Sequence, residues 1–213
     1  MKLESGIIEN NFFELFYRDN ELRNLEKWIY ETHELKKLLS DNDYLELISL
    51  DYGKKSTKYE IYKIMGKYID YGKFEKKNLL SMLHKALNSK NDLPKILSSF
   101  YYMYCDGYSF LRDLGLGYGL MCVVPPSKYQ VETWEELSEM QKTKIMNSFY
   151  PQIKNDLIRA IGWFENDRII FSGKNNEFNR YEYIDNRTEE EKKSTVWKDV
   201  PEGKTKKWWQ FWK

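Results

Sequence analysis

The sequence predicts an α+β protein that is predominantly helical, with about seven helices, a small antiparallel sheet or hairpin, and a flexible C-terminal tail. Three observations carry that expectation. Apolar residues recur at helical spacing over most of the chain up to Phe164. A Gly-Lys-Asn-Asn turn then separates two short apolar runs, the mark of a hairpin. From about Asp185 the chain turns charged and unpatterned. Of the 213 residues, 41% are hydrophobic and 16% aromatic, enough for a core, while the 31% that are charged require a large solvated surface. A chain of this size buries roughly 70% of its surface on folding and needs no staple. We expect one globular domain over residues 1–185, followed by a charged segment, 186–213, that ends in aromatics.

The elements follow in order. Leu22, Leu25 and Ile29, then Leu35, Leu38 and Leu39, give a long helix or two with a break near Thr32-His33. Leu45, Leu47, Ile48 and Leu50 fit a strand or a buried helical turn equally well. Thr57 and Glu60 read as a capping box opening a helix through Ile61, Ile64, Met65, Tyr68 and Ile69, with Gly72 as its stop. A third helix carries Leu79, Leu80, Leu83, Ala86 and Leu87. A fourth follows Asp92-Leu-Pro94, where proline's missing N–H costs least. Gly115-Leu-Gly-Tyr-Gly119 reads as a glycine turn feeding a buried strand over 118–124, closed by Pro125-Pro126. Thr133 and Glu136 form a second capping signature, for an acidic helix towards Phe149. Pro151 opens another through Ile153, Leu157, Ile161 and Phe164. Asn166-Asp167 is a turn, and Arg168–Ser172 with Glu177–Ile184 make the hairpin.

Several function classes lose their footing at once. Cys105 and Cys122 make neither a CxxC nor a zinc spacing, and read as buried free thiols in a reducing cytoplasm. The N-terminus has no apolar stretch of signal-peptide length, and no run approaches a membrane span, so we expect a cytoplasmic protein. His33 and His84 are each without a ligand at metal spacing and read as solvated or packed side chains. No GxSxG elbow, Walker loop or HExxH motif occurs. The glycine run precedes its apolar stretch instead of following a strand, so it is no dinucleotide cradle. Asp70…Glu75-Lys-Lys77 matches the carboxylate–Glu-x-Lys spacing of metal-dependent nucleases, yet such carboxylates must converge from adjacent strands, and these straddle two predicted helices. No catalytic, cofactor or metal residues are expected, and no cofactor.

Charge is distributed unevenly. Residues 1–52 hold 6 Lys/Arg against 12 Asp/Glu, a balance of −6, and residues 53–95 hold 11 against 4, a balance of +7. The two regions either pair internally or face different partners. The acidic set Glu132, Glu135, Glu136 and Glu139, with Trp134 nearby, either stabilises a helix N-terminus or imitates phosphates for a basic partner. Tyr101, Tyr102, Tyr104, Tyr108 and Phe110 pack a core or line a ligand pocket. Trp208, Trp209, Phe211 and Trp212, set among lysines, dock on the domain, a partner or a membrane interface.

The stretch Leu25-Glu-Lys-Trp-Ile-Tyr-Glu31, followed by Asp43-Tyr-Leu-Glu-Leu-Ile-Ser-Leu-Asp-Tyr52, resembles the opening of small bacterial immunity proteins of polymorphic or contact-dependent toxin systems. The likeness covers the first quarter of the chain. It implies a non-enzymatic inhibitor that binds and occludes a cognate toxin domain, and it transfers no catalytic residues. On that reading Glu26, Glu31, Glu34, Asp41 and Asp43 are candidates for the binding face, joined by the acidic set around Trp134. The alternative is a nucleic-acid-binding or nucleic-acid-processing protein that uses the basic 53–95 region. A third is a membrane-peripheral adaptor that uses the C-terminal tryptophans.

Overall fold

The fold is that of a computed structural model, which describes residues 3–18, 21–175, 177 and 180–196. Among these are eleven α-helices and one two-stranded antiparallel sheet, so the helix-dominated α+β expectation holds. The helices outnumber the expected seven because the chain opens with an unforeseen one and several others are single turns. Two compact units emerge, Met1–Phe74 and Glu75–Lys213.

In the first unit, α1 (Leu3–Phe13) runs into a π-helical turn, Glu14–Arg18. Ile8, Phe12, Phe13 and Phe16 are buried, Phe12 stacking on Phe16 with ring centroids 5.0 Å apart. α2 (Leu22–Glu31) buries Leu25 and Ile29, and breaks where expected: both the N–H and the hydroxyl of Thr32 donate to the Trp28 carbonyl. α3 (Leu35–Leu38) is a single turn. α4 (Asp41–Ile48) settles the ambiguous segment as helix, opened by Ser40, whose Oγ accepts from the Asp43 N–H. α5 (Thr57–Met65) buries Ile61, Ile64 and Met65 as its stripe required. The expected capping box is not made, because Ser56 and not Thr57 stands at the N-cap; the Thr57 hydroxyl donates to the Asp51 carbonyl at 2.5 Å. The stop also moves. Gly66 ends the helix, and Gly72 lies in the first turn of α6 (Tyr71–Asn88), the helix in which the unit boundary falls.

In the second unit, α7 (Leu93–Cys105) begins with Pro94 in its first turn and buries Leu93, Ile96, Leu97, Phe100 and Met103. The glycine run is the main correction. Asp113–Gly119 forms a π-helical segment that continues into α8 (Leu120–Val123), so no strand occupies 118–124. The physical reason is close approach to α7. A Cβ on Gly115 would stand 2.6 Å from the Phe100 carbonyl oxygen, and one on Gly119 2.1 Å from that of Leu97. Glycine here lets two helical backbones touch rather than bend a chain into a strand.

α9 (Glu139–Phe149) starts five residues later than expected, its N-cap at Ser138 rather than Thr133. The Thr133 hydroxyl donates to the Glu136 carboxylate instead of capping a helix, and the true capping box pairs Ser138 with Gln141. α10 (Gln152–Glu165) follows Pro151 and buries Ile153, Leu157, Ile161 and Phe164. Asp167 takes a left-handed conformation (φ 51°) at the expected turn. β1 (Ile169–Asn175) and β2 (Tyr181–Asp185) then pair antiparallel, Ile169 opposite Asp185 and Phe171 opposite Tyr183. Tyr108 and Phe110 join Phe164, Phe171 and Tyr183 in one aromatic cluster, which fits the core reading for those two residues. Tyr102 is 54% exposed. Beyond Asp185 the chain is held in place as far as Val196 and includes α11 (Glu189–Lys192), opened by a Thr188/Glu191 capping box.

Candidate functional site

The acidic residues of the first unit divide by helical phase. Asp43 faces inward and is buried. Its Oδ1 accepts from Lys67 Nζ at 2.6 Å, and its Oδ2 from the Tyr68 hydroxyl at 2.5 Å and the Ser40 hydroxyl at 2.9 Å. The Lys67 bond first, then those from Tyr68 and Ser40, pull the Asp43 pKa down to about 2. Asp43 is therefore a structural ion pair and leaves the candidate binding face. It is also one case of the internal pairing foreseen between the acidic and basic regions.

The remaining members keep their exposure. Glu31, Glu34 and Asp41 lie at the surface, Glu26 half-buried. Glu31 reaches Lys27 only at 3.9 Å, an exposed pair worth little. Two apolar groups stand among them, Tyr30 at 49% and Leu45 at 57% exposure. The Tyr30 hydroxyl donates to the Ile48 carbonyl at 2.6 Å, tying the end of α2 to the end of α4. Asp41 and Leu45, four apart, share one face of α4. The two tethered helices thus expose carboxylates together with an aliphatic and an aromatic group.

The second acidic set does not form the expected helical array. Glu132, Glu135 and Glu136 lie in the loop before α9, and Glu139 in its first turn. Glu136 turns back on its own loop, accepting from Thr133 and from the Glu132 N–H, and the bond from Thr133 leads in lowering its pKa. Glu139 pairs with Lys142 at 2.9 Å, and Trp134 is half-buried. Trp208, Trp209, Phe211 and Trp212 lie outside the described residues.

The nuclease-like spacing does not survive. Asp70 precedes α6 and accepts from the Lys73 N–H, whereas Glu75 is buried on that helix, 2.9 Å from the Tyr108 hydroxyl that donates to it. Burial raises the Glu75 pKa against the lowering effect of that bond. Among the described residues no group of three or more His, Cys, Asp or Glu could hold a metal ion. His33 and His84 are both exposed, the solvated alternative. Cys122 is buried, its pKa pushed up to about 12 by that burial, whereas Cys105 is exposed, against expectation. No helix among the described residues is long and apolar enough to cross a membrane.

Sequence reasoning missed a charged centre in the second unit. Asp113 and Asp156 are 7% and 2% exposed. Asp113 accepts from Ser194 Oγ at 2.6 Å, the Thr195 N–H at 3.0 Å and Arg159 Nη2 at 2.8 Å. Burial raises its pKa, but these bonds together bring it below the ordinary value. Asp156 accepts from the Tyr118 hydroxyl at 2.7 Å and from Thr195 Oγ1 at 2.5 Å. Burial, then the bond to Asp156, raises the Tyr118 pKa. This network fastens residues 194–195 across the helices. Beside it two guanidinium groups stand over the Trp163 ring, Arg159 at 5.1 Å and Arg187 at 4.5 Å from its centroid. Arg187 in turn forks onto Asp185 at 2.9 and 2.8 Å. The one local signal was Arg159 and Trp163, four apart on one helix.

No protein-family model matches the chain, and no curated protein and no solved structure matches it either.

Proposed function

We propose that the chain is a non-enzymatic inhibitor that binds and occludes a toxin domain, with the α2–α4 surface of the first unit as its binding face. The observation that carries this reading is the exposed set Glu31, Glu34 and Asp41 beside Leu45 and Tyr30. Carboxylates at a rim steer a basic partner and raise its association rate, while exposed apolar groups at the centre supply affinity once desolvated. The likeness of the same stretch to bacterial immunity proteins points the same way.

The test is co-expression with the product of the neighbouring upstream gene. Growth should be restored by the wild-type chain, and lost with Leu45→Glu combined with Asp41→Lys. A product that is no toxin, or that kills equally well beside this chain, would end the reading. The nucleic-acid alternative has less to draw on. Lys54, Lys63, Lys67, Lys73 and Lys85 each reach a carboxylate, at 3.2, 2.6, 2.6, 3.7 and 3.3 Å, which a phosphate would have to displace.

A further inference from the structure

Residues 192–196 lie in a groove of the second unit that meets Lys192, Ser194, Thr195 and Val196 in turn. The Lys192 carbonyl accepts from Arg112 Nη2 at 2.9 Å, and Ser194 Oγ donates to Asp113 at 2.6 Å. Thr195 donates twice, its N–H to Asp113 at 3.0 Å and its hydroxyl to Asp156 at 2.5 Å. Val196 fits where a side chain is missing. A Cβ on Gly117 would find its three nearest atoms all on Val196, at 3.1, 3.2 and 3.4 Å. The π-helical segment shapes the groove: its i→i+5 closure sets Asp113 and Tyr118, five apart, on one face. From there the Tyr118 hydroxyl donates to Asp156 at 2.7 Å and fixes the carboxylate that takes Thr195.

Three properties mark this as recognition of a separable segment and not as core packing. None of residues 186–196 is buried, so the segment can leave without opening the core. The buried partners, Asp113 and Asp156, belong to the groove and stay with it. α11, which leads into the segment, is closed on itself by the Thr188/Glu191 capping box and the Lys192–Glu189 pair at 2.9 Å. It can therefore swing as one piece, and the eight residues 186–193 span up to about 26 Å when extended. An emptied groove would leave buried carboxylates short of donors, which is costly, and so would favour refilling.

We propose that this groove is an interface with a second copy of the chain, each copy inserting Ser194-Thr195-Val196 between Asp113, Asp156 and Gly117 of the other. The sequence that fits the groove is the chain's own. A second copy offers the same donors and the same branched side chain, so every contact is remade unchanged, the low-cost route to a swapped dimer. The tethered segment competes at an effective concentration of about 1 mM. Dilute wild-type copies therefore keep their own segments, and exchange shows once the internal fit is disabled. The groove lies in the second unit and does not rest on the inhibitor reading.

The test mixes two full-length chains, each disabled on one side. Gly117→Leu fills the niche for Val196 and keeps the segment. Ser194→Ala with Thr195→Val blanks the segment and keeps the groove. By sedimentation equilibrium each alone should be monomeric, and the mixture should form a 1:1 complex of twice the mass, half-saturated below about 1 mM. Adding the Ser194 and Thr195 replacements to the Gly117→Leu chain should weaken the complex at least about tenfold, as loss of hydrogen bonds to charged groups requires. If circular dichroism shows that Gly117→Leu does not fold, a labelled synthetic peptide of residues 186–196 serves as the donor, followed by fluorescence anisotropy. If the doubly replaced chain does not fold, Thr195→Val alone serves. No complex up to about 1 mM of each chain, or one that survives blanking of the donor segment, would overturn the proposal. So would a dimer formed by either chain alone, which would place the association on another surface.

Discussion

Gly119→Ala is the sharpest probe of the contact that organises the second unit. A methyl carbon at this position would lie 2.1 Å from the Leu97 carbonyl oxygen, 2.9 Å from its carbon and 3.1 Å from Tyr101 Cβ. Real Cβ atoms essentially never come within 3.0 Å, so the Gly119 backbone and α7 must part by at least 0.9 Å. Both obstructing atoms are backbone, and no rotamer can relieve them. A radial gap of about 0.5–1 Å already forfeits a quarter to a half of each dispersion contact along the seam. Overpacking of this kind costs about 1–3 kcal/mol or more, and the helical preference of alanine over glycine returns at most about 1 kcal/mol. We expect a net loss of about 2 kcal/mol, seen as a fall of about 1 M in the urea midpoint followed by far-ultraviolet circular dichroism. Gly162→Ala is the matched control: it lies within α10, and the nearest atom to its added carbon is Asn166 Nδ2 at 4.0 Å. It should stabilise by about 0.4–1 kcal/mol. If Gly119→Ala unfolds at or above the midpoint of Gly162→Ala, the close approach of the two backbones is refuted.

Three further outcomes follow from the networks. Asp43→Asn should destabilise the chain at neutral pH. Because folding lowers the Asp43 pKa from 3.8 to about 2, its contribution is full above 3.8 and fades as pH falls through that window. The gap between wild type and variant in urea titrations should therefore close between those values, and a gap that stays constant down to pH 2 would refute the pairing. Thr195→Val removes the donor to Asp156 and should cost about 1–3 kcal/mol. Trypsin should then cut after Arg187 and Lys192 faster than in wild type, and equal rates would show that the fastening is inert. Iodoacetamide on the native chain at pH 8 should modify Cys105 and spare Cys122, with both modified after denaturation; mass spectrometry separates one adduct from two.

Legibility in the sequence followed locality. The break at Thr32, the start of α7 at Pro94, the stripe of α10 and the turn at Asp167 were all readable, because each is decided by neighbours within one or two helical turns. The glycine run was misread because isolated propensity argues against a helix there, and only contact with Leu97 and Phe100 overrides it. Both misplaced capping boxes fail alike: Thr57 and Thr133 have the right spacing, but neither stands at the N-cap, which falls to Ser56 before α5 and Ser138 before α9. The charged centre was invisible for a different reason. Asp113 meets Ser194 and Thr195 more than 80 positions away, and no spacing rule reaches that far.

Asp41 and Asp43 show most plainly what charge counting leaves out. Both belong to the acidic segment and, by composition, were equal candidates for a binding face. Two positions on a helix are about 200° apart, so one phase decides both fates. Asp43 falls in line with buried Leu47 and is spent on Lys67, Tyr68 and Ser40; Asp41 falls in line with exposed Leu45. On the inhibitor reading, α4 thus separates two tasks along one short helix, with stability on the face of Asp43 and Leu47 and recognition on that of Asp41 and Leu45. Substitution at Asp43 should therefore lower the urea midpoint strongly, whereas Asp41→Asn should weaken partner binding and cost no more than the helix-dipole contribution of a first-turn carboxylate, about 0.3–1 kcal/mol. A loss of stability at Asp41 as large as that at Asp43 would mean that the helix has been assigned the wrong phase.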